Sequence, residues 1–196
     1  MTKTRLEAFS DGVMAVLITI MVLELKAPEG GDFAALRPLV PTFLVYVLSF
    51  IILGIYWNNH HHLLQVTRRI SGGVLWPNLH LLFWLSLIPF TTSWMGDNPF
   101  APVPTAFYGL VLLCSAIAYW ILQNCIVSVE GPQSALAAAV GRDHKAKASL
   151  AMYAAALPLA FVRPWIADLL YVTVALVWLI PDRRMESRLD HRANAI

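Results

Sequence analysis

Charged residues are scarce in this chain: they make up 13% of its 196 residues, against 58% hydrophobic ones. Ordinary globular chains carry roughly 25% charged residues, so about half of the usual solvating charge is missing and a water-facing globule is excluded. The mean hydropathy of +0.63 points to lipid as the main solvent. The net charge is only +2 and no basic block occurs, which removes the electrostatic footprint that a nucleic-acid partner needs. Cysteine is scarce as well. Cys114 and Cys125 fall in one apolar stretch, with neither a disulfide framework nor metal-ligand spacing, and read as small buried hydrophobes. Neither H-E-x-x-H nor G-x-S-x-G is present, so no enzyme motif is found and no cofactor is expected.

Long apolar runs are what the chain does have. A hydrocarbon core about 30 Å thick takes roughly 20 mainly apolar residues per helical pass. Six stretches meet or approach that length, at about 9–25, 38–57, 74–94, 105–127, 146–162 and 165–180. The expected fold is an all-α, six-span transmembrane bundle forming a single unit. The last two stretches are short and are divided by Arg163-Pro164, where proline removes a backbone donor and favours a tight turn. Pro89 and Pro158 lie inside spans and are expected to kink them. Asp11 and Glu24, in and beside the first run, and the poor cleavage site Leu25-Lys26-Ala27-Pro28 favour a mature helix over a cleaved signal peptide.

Orientation follows from the positive charges in alternate loops. Lys3, Arg5, Arg68, Arg69, Arg142, Lys145, Lys147, Arg183, Arg184, Arg188 and Arg192 fall on one side, eleven of the fourteen Lys and Arg. Lys26, Arg37 and Arg163 fall on the other. Both termini are therefore expected in the cytoplasm and the chain in the cell inner membrane, with the lipid bilayer as its surroundings.

Ionisable groups inside a membrane are costly, and each is a candidate functional residue. Asp11, Glu24, His80 and Asp168 are the four to place. With the N-terminus inside, Asp11 lies in the inner leaflet and Asp168 in the outer one, which disfavours a paired-aspartate protease. The run His60-His61-His62 invites a metal reading, but successive helical positions turn about 100°, so three rings on a regular helix cannot converge on one ion. These histidines read instead as an interfacial cluster with Trp57 as aromatic anchor, and His80 as a hydrogen-bonded packing residue.

The first helix has two unlike faces. Counting about 100° per residue from Val16, positions Gly12, Thr19, Ile20 and Leu23 fall within about 60° of it, whereas Asp11 lies about 140° away. One face is thus an aliphatic seam with a hydroxyl beside it, and the other turns Asp11 towards neighbouring helices. On composition alone, the bland reading of the seam is packing inside the bundle.

Arg5 followed by Phe9-Ser10-Asp11 and a Thr-containing aliphatic helix ending at Leu23-Glu24 resembles the signature of the endosomal and lysosomal TMEM potassium channel family. Trp57-Asn58-Asn59-His60-His61 resembles the end of that family's second helix, and Asn78 with Leu87-Ile88-Pro89-Phe90 its third. The likeness covers about the first half of the chain. It implies a homotetrameric channel that passes potassium ions between the first helices of four chains, with no fixed metal site. It also implies that Val16, Ile20 and Leu23 form aliphatic constriction rings and Thr19 a hydroxyl layer. Val16 stands where the family typically carries the larger isoleucine or leucine, which implies a wider and leakier ring. Arg5, Phe9, Ser10, Asp11, Trp57, His60 and Asn78 are implied to form a structural network, with Asp11 facing His60, Asn78 or Ser10. No carbonyl filter of the TVGYG type is present. The alternatives are a cation-coupled secondary transporter, disfavoured by the aliphatic midplane of the first helix, and a membrane subunit without a pore.

Overall fold

The computed structural model describes residues 2–67, 72–131, 134, 137 and 144–180, and every regular element among them is helical. Helix α1 spans Lys3–Leu23, α2 spans Val40–Val66 after a 3-10 turn at Phe33–Leu39, and α3 and α4 span Gly72–Ser86 and Ile88–Asp97. They are followed by α5 at Pro102–Glu130, α6 at His144–Val162 and α7 at Pro164–Leu179. Proline starts several of them: α2, α4, α5 and α7 each carry one at the first or second position, where no intrahelical donor is required. Gly131, with φ 97°, follows α5 in a conformation that side-chain-bearing residues rarely adopt.

Among the described residues, the segments Lys3–Leu23, Phe33–Gln65, Gly72–Asp97 and Pro102–Glu130 are long and apolar enough to cross a membrane. Helix α7 is apolar but shorter, with 16 residues. The helices overrun the apolar stretches in places: α1 begins at Lys3 rather than at 9, and α2 continues past Trp57 to Val66. The apolar run measures hydrocarbon depth, while the helix extends wherever its polar residues find partners. Pro89 does break its span. The chain leaves the helix at Leu87 and re-enters it at Ile88, so α3 and α4 form one interrupted rod. Pro158 produces no such interruption, since α6 runs through it to Val162. Arg163, at φ −148° and ψ 86°, separates α6 from α7 as the dipeptide suggests.

Hydrogen bonds at the helix ends fix an up-and-down order. Lys3 Nζ donates to the Gln65 carbonyl at 3.0 Å and Lys145 Nζ to the Ile180 carbonyl at 3.1 Å, joining the start of α1 to the end of α2 and the start of α6 to the region after α7. At the opposite end Thr42 Oγ1 donates to the Gly96 carbonyl at 3.1 Å and Ser93 Oγ to Glu24 Oε2 at 3.2 Å. Helix α5 is central and packs against α3, α4, α6 and α7. Cys114 and Cys125, on α5, are half-buried free thiols. Of the positive charges used for orientation, Arg68, Arg69, Arg142, Arg183, Arg184, Arg188 and Arg192 lie outside the described residues.

A close backbone approach joins α4 to α2. A Cβ at Gly96 would stand 2.9 Å from Thr42 Cα and 2.8 Å from Thr42 Cγ2, so the contact cannot be relieved by rotating a side chain. Gly96→Ala should therefore lower the thermal stability of the detergent-purified chain by about 1–3 kcal/mol, the usual cost of overpacking. Shortening the facing side chain by Thr42→Ser should not restore it. An unchanged Tm for Gly96→Ala would show that these two helices are not held this closely.

Candidate functional site

Helix α1 is sorted into two faces by what it touches. Leu6, Ser10, Met14, Leu17 and Met21 are buried, at successive spacings of three or four, and form the stripe that packs on the bundle. The seam lies opposite. Val16 is 52% exposed, Ile20 40% and Leu23 78%, with Gly12 and Thr19 exposed beside them. The bland reading fails within the chain: the seam does not pack inside its own bundle. Thr19 Oγ1 donates to the Val16 carbonyl at 2.9 Å. Its proton is thus committed to the helix backbone, and the oxygen lone pairs remain available on the exposed side.

The buried face carries a polar chain that crosses three helices. Asn78 of α3 donates through Nδ2 to Ser10 Oγ of α1 at 3.0 Å. Its Oδ1 lies 2.7 Å from His60 Nε2 of α2. The amide oxygen can only accept, so His60 Nε2 carries the proton. All three residues are buried, Ser10 and Asn78 fully and His60 to 1% exposure. A group left unpaired here would have no water to turn to.

Asp11 pairs elsewhere than with His60, Asn78 or Ser10. Its Oδ1 accepts from Trp57 Nε1 at 3.1 Å, because Asp11 sits one position, about 100°, further round α1 than Ser10 and faces the flank of α2. Trp57 in turn stacks on His61, with ring centroids 6.0 Å apart and planes at 19°. Two other residues of the proposed network stand apart. Arg5 and Phe9 are exposed on the chain, and among the described residues the Arg5 side chain has no hydrogen-bond partner, while its backbone N–H donates to Thr2 Oγ1 at 3.4 Å.

The three consecutive histidines diverge. His60 goes to Asn78, His61 Nε2 accepts from Gln65 Nε2 at 2.8 Å, and His62 Nδ1 is buried with no partner among the described residues. Among the described residues no group of three or more His, Cys, Asp or Glu side chains is placed to hold a metal ion. His80 is exposed and accepts from Trp84 Nε1 at 2.9 Å. Asp168 Oδ1, on α7, is buried with no partner among the described residues.

A second polar cluster was invisible to a search limited to ionisable side chains. Ser49 Oγ of α2 lies 2.7 Å from Thr92 Oγ1 of α4 and 2.9 Å from the Tyr108 hydroxyl of α5. All three are buried. The signal was present as hydroxyl residues inside three separate apolar runs, but hydroxyls in a membrane helix also bond their own backbone, as Thr92 does to the Ile88 carbonyl at 2.7 Å.

An all-helical bundle with several segments long and apolar enough to cross a membrane is the architecture of a multi-pass membrane protein. The sequence profile of the family described as "Endosomal/lysosomal potassium channel TMEM175" matches residues 5–89. A potassium channel of Chryseobacterium sp. strain P1-3 is 54% identical over 189 residues, covering 96% of this chain and 98% of that relative. A potassium channel of Streptomyces collinus is 34% identical over 126 residues, covering 60% of this chain and 61% of the relative. The fold is similar to the crystal structure of a lysosomal potassium-selective channel TMEM175 homolog from Chamaesiphon minutus, with a TM-score of 0.79, 26% identity, and coverage of 91% of this chain and 96% of that one. The chain belongs to the TMEM175 family, a family of ion channels and not of enzymes.

The brace makes a measurable demand. Asn78→Ala removes both bonds and leaves the buried His60 and Ser10 unpaired, so it should cost about 1–3 kcal/mol for each group stranded. Ser10→Ala should cost less, and the double variant should fall short of the summed single losses because the residues share one network. Thermal unfolding of the purified variants measures this; an Asn78→Ala chain as stable as the parent would remove the brace from the account.

Proposed function

We propose that this chain forms a potassium-selective channel in the cell inner membrane, conducting passively as a homotetramer whose four α1 helices surround a central axis. The reading rests above all on one observation. Helix α1 turns Val16, Thr19, Ile20 and Leu23 away from its own bundle, in a chain 54% identical to a potassium channel over nearly its whole length. In that arrangement the aliphatic side chains form stacked rings around the axis. Such rings offer no oxygen to a cation, so a narrow constriction built from them empties of water and resists conduction until the helices separate. The Thr19 layer differs, because its hydroxyl hydrogens are held by the Val16 carbonyls and four oxygens face the ion path. Asp11, held by Trp57 off the axis, and the Ser10, Asn78 and His60 chain act as structure behind the pore. Arg5 and Phe9, exposed on one chain, belong to the same inner end and are available to neighbouring subunits.

The six-pass topology with both termini in the cytoplasm rests on the eleven-to-three division of Lys and Arg. Thiol labelling from outside the cell should reach Glu29→Cys and Asp97→Cys but not Lys145→Cys. External labelling at position 145 would overturn the topology.

The pore face is tested by substitution with flux or single-channel recording in liposomes under potassium and sodium gradients. Ile20→Asn or Leu23→Ser should wet the constriction, raise basal current and weaken discrimination against sodium. Val16→Leu should narrow the ring and lower basal current. Thr19→Val removes four hydroxyls at nearly constant shape and should reduce potassium preference more than total current. Unchanged current and selectivity across these variants would exclude α1 from the pore. Saturable, coupled flux from the parent protein would make it a secondary transporter, and no flux at all a non-conducting subunit.

A further inference from the structure

A cavity of about 50 Å³ lies among α2, α5, α6 and α7, on walls that come mainly from the half of the chain beyond residues 5–89. Ile52 and Ile55 of α2, Leu150 of α6 and Val174 of α7 give it an apolar body. Three of its wall residues are polar and almost wholly buried: Gln123 is 5% exposed, Tyr153 4% and Ser149 3%. Among the described residues no hydrogen bond engages the Gln123 amide or the Tyr153 hydroxyl, and neither group is among the fully buried unpartnered atoms, so each keeps some accessible surface. Neighbouring polar groups on the same wall are engaged. The Tyr119 hydroxyl donates to the Asn59 carbonyl at 3.0 Å, and Ser149 Oγ accepts from Trp178 Nε1 at 2.9 Å. Trp120 lines the cavity yet is 51% exposed, so the cavity reaches the outer surface of the bundle.

These features restrict the occupant. Among the described residues no charged side chain lines the space, so an ion or a phosphate headgroup there would be desolvated without a counter-charge from them. A dry void leaves unexplained why an amide and a phenol, each able to donate and accept, face it unpaired. The volume holds about three waters, but each asks for two to four polar partners and the walls are mostly hydrocarbon. A hydroxyl group on an aliphatic tail meets both halves of the description.

Depth agrees. Helix α5 is 29 residues, about 43 Å long against a hydrocarbon core of about 30 Å, and Gln123 lies about 10 Å short of its C-terminus. With α5 centred, Gln123 falls just inside the hydrocarbon boundary, where a membrane-dissolved alcohol keeps its polar end.

We propose that this cavity binds an uncharged, membrane-soluble amphiphile with a hydroxyl head, held by Gln123 and Tyr153, its aliphatic tail running out past Trp120 into the bilayer. The site is independent of whether α1 lines a pore. The test uses the full chain in liposomes and n-octanol bearing a diazirine, with labelled positions mapped by mass spectrometry. Adducts should concentrate on the cavity walls, and n-octanol should compete for them while n-octane does not. Gln123→Leu keeps the apolar volume and removes one partner of the head, and should weaken competition by about ten-fold. Ala116→Phe fills the space and should abolish the adducts. Gln123→Leu adds no bulk to the bundle, so the comparison stands even where Ala116→Phe fails to fold. Labelling spread evenly over the lipid-facing surface, equal competition by octane, or full competition in Gln123→Leu would each overturn the proposal.

Discussion

Inside a bilayer a polar side chain has no water to fall back on, and the way α1 answers that constraint governs how the rest of the chain is arranged. Ser10 can be buried only against a partner, and Asn78 supplies it while also accepting from His60. Those bonds fix the rotation of α1 about its own axis. A turn of one residue, about 100°, would carry Ser10 away from Asn78 and swing the Val16 face into the bundle. The polar brace on one side of α1 is therefore the reason that the aliphatic seam on the other side is left uncovered.

The interrupted rod formed by α3 and α4 lets one pass serve two neighbourhoods. Helix α3 brings Asn78 to α1 and α2 before the break. After the break at Leu87, α4 brings Thr92 to Ser49, Ser93 to Glu24 and Gly96 against Thr42 at the other end. Polar contacts thus gather towards the two ends of α1 and leave its middle, from Gly12 to Leu23, without a side-chain partner on the seam. Pro89 is tolerated inside the span because it stands in the first turn of α4, where no intrahelical donor is required.

Much of this could be read from the sequence, for physical reasons that differ between elements. Apolar length pointed to an all-helical membrane bundle because hydrocarbon thickness admits few alternatives, although the stretch at 74–94 is divided into α3 and α4, and Arg163-Pro164 marked the α6–α7 turn because proline cannot continue a helix with its neighbour. The two faces of α1 follow from helical period alone. The partner of Asp11 did not: period says which way a residue points, but whether Trp57 or His60 stands there depends on the axial stagger of α1 against α2. Pro158 leaves α6 unbroken and stands on the exposed side of that helix, whereas Pro89 stands at a junction between two helices. Gln123 and the Ser49, Thr92 and Tyr108 cluster escaped because uncharged polar residues inside apolar runs give no sign of whether they bond to their own helix or to another.

If four chains assemble as proposed, with a constriction on α1, the brace also limits how that constriction can open. Each bond from Asn78 joins buried groups, and stranding such a group costs about 1–3 kcal/mol, so a movement that tears α1 from α2 and α3 in the four subunits of the proposed tetramer would cost several times that. A movement that carries α1 together with the parts of α2 and α3 bonded to it leaves those bonds intact. Among the described residues the seam makes no side-chain hydrogen bond to another helix of the chain, since Thr19 bonds only within α1, so in the proposed tetramer its contacts with other subunits are what change as it moves. On that reading the low-cost opening is a rigid displacement of α1 with the bonded parts of α2 and α3 as one body, with the break at Leu87, where the helix is already interrupted, as the place where α3 can change direction relative to α4.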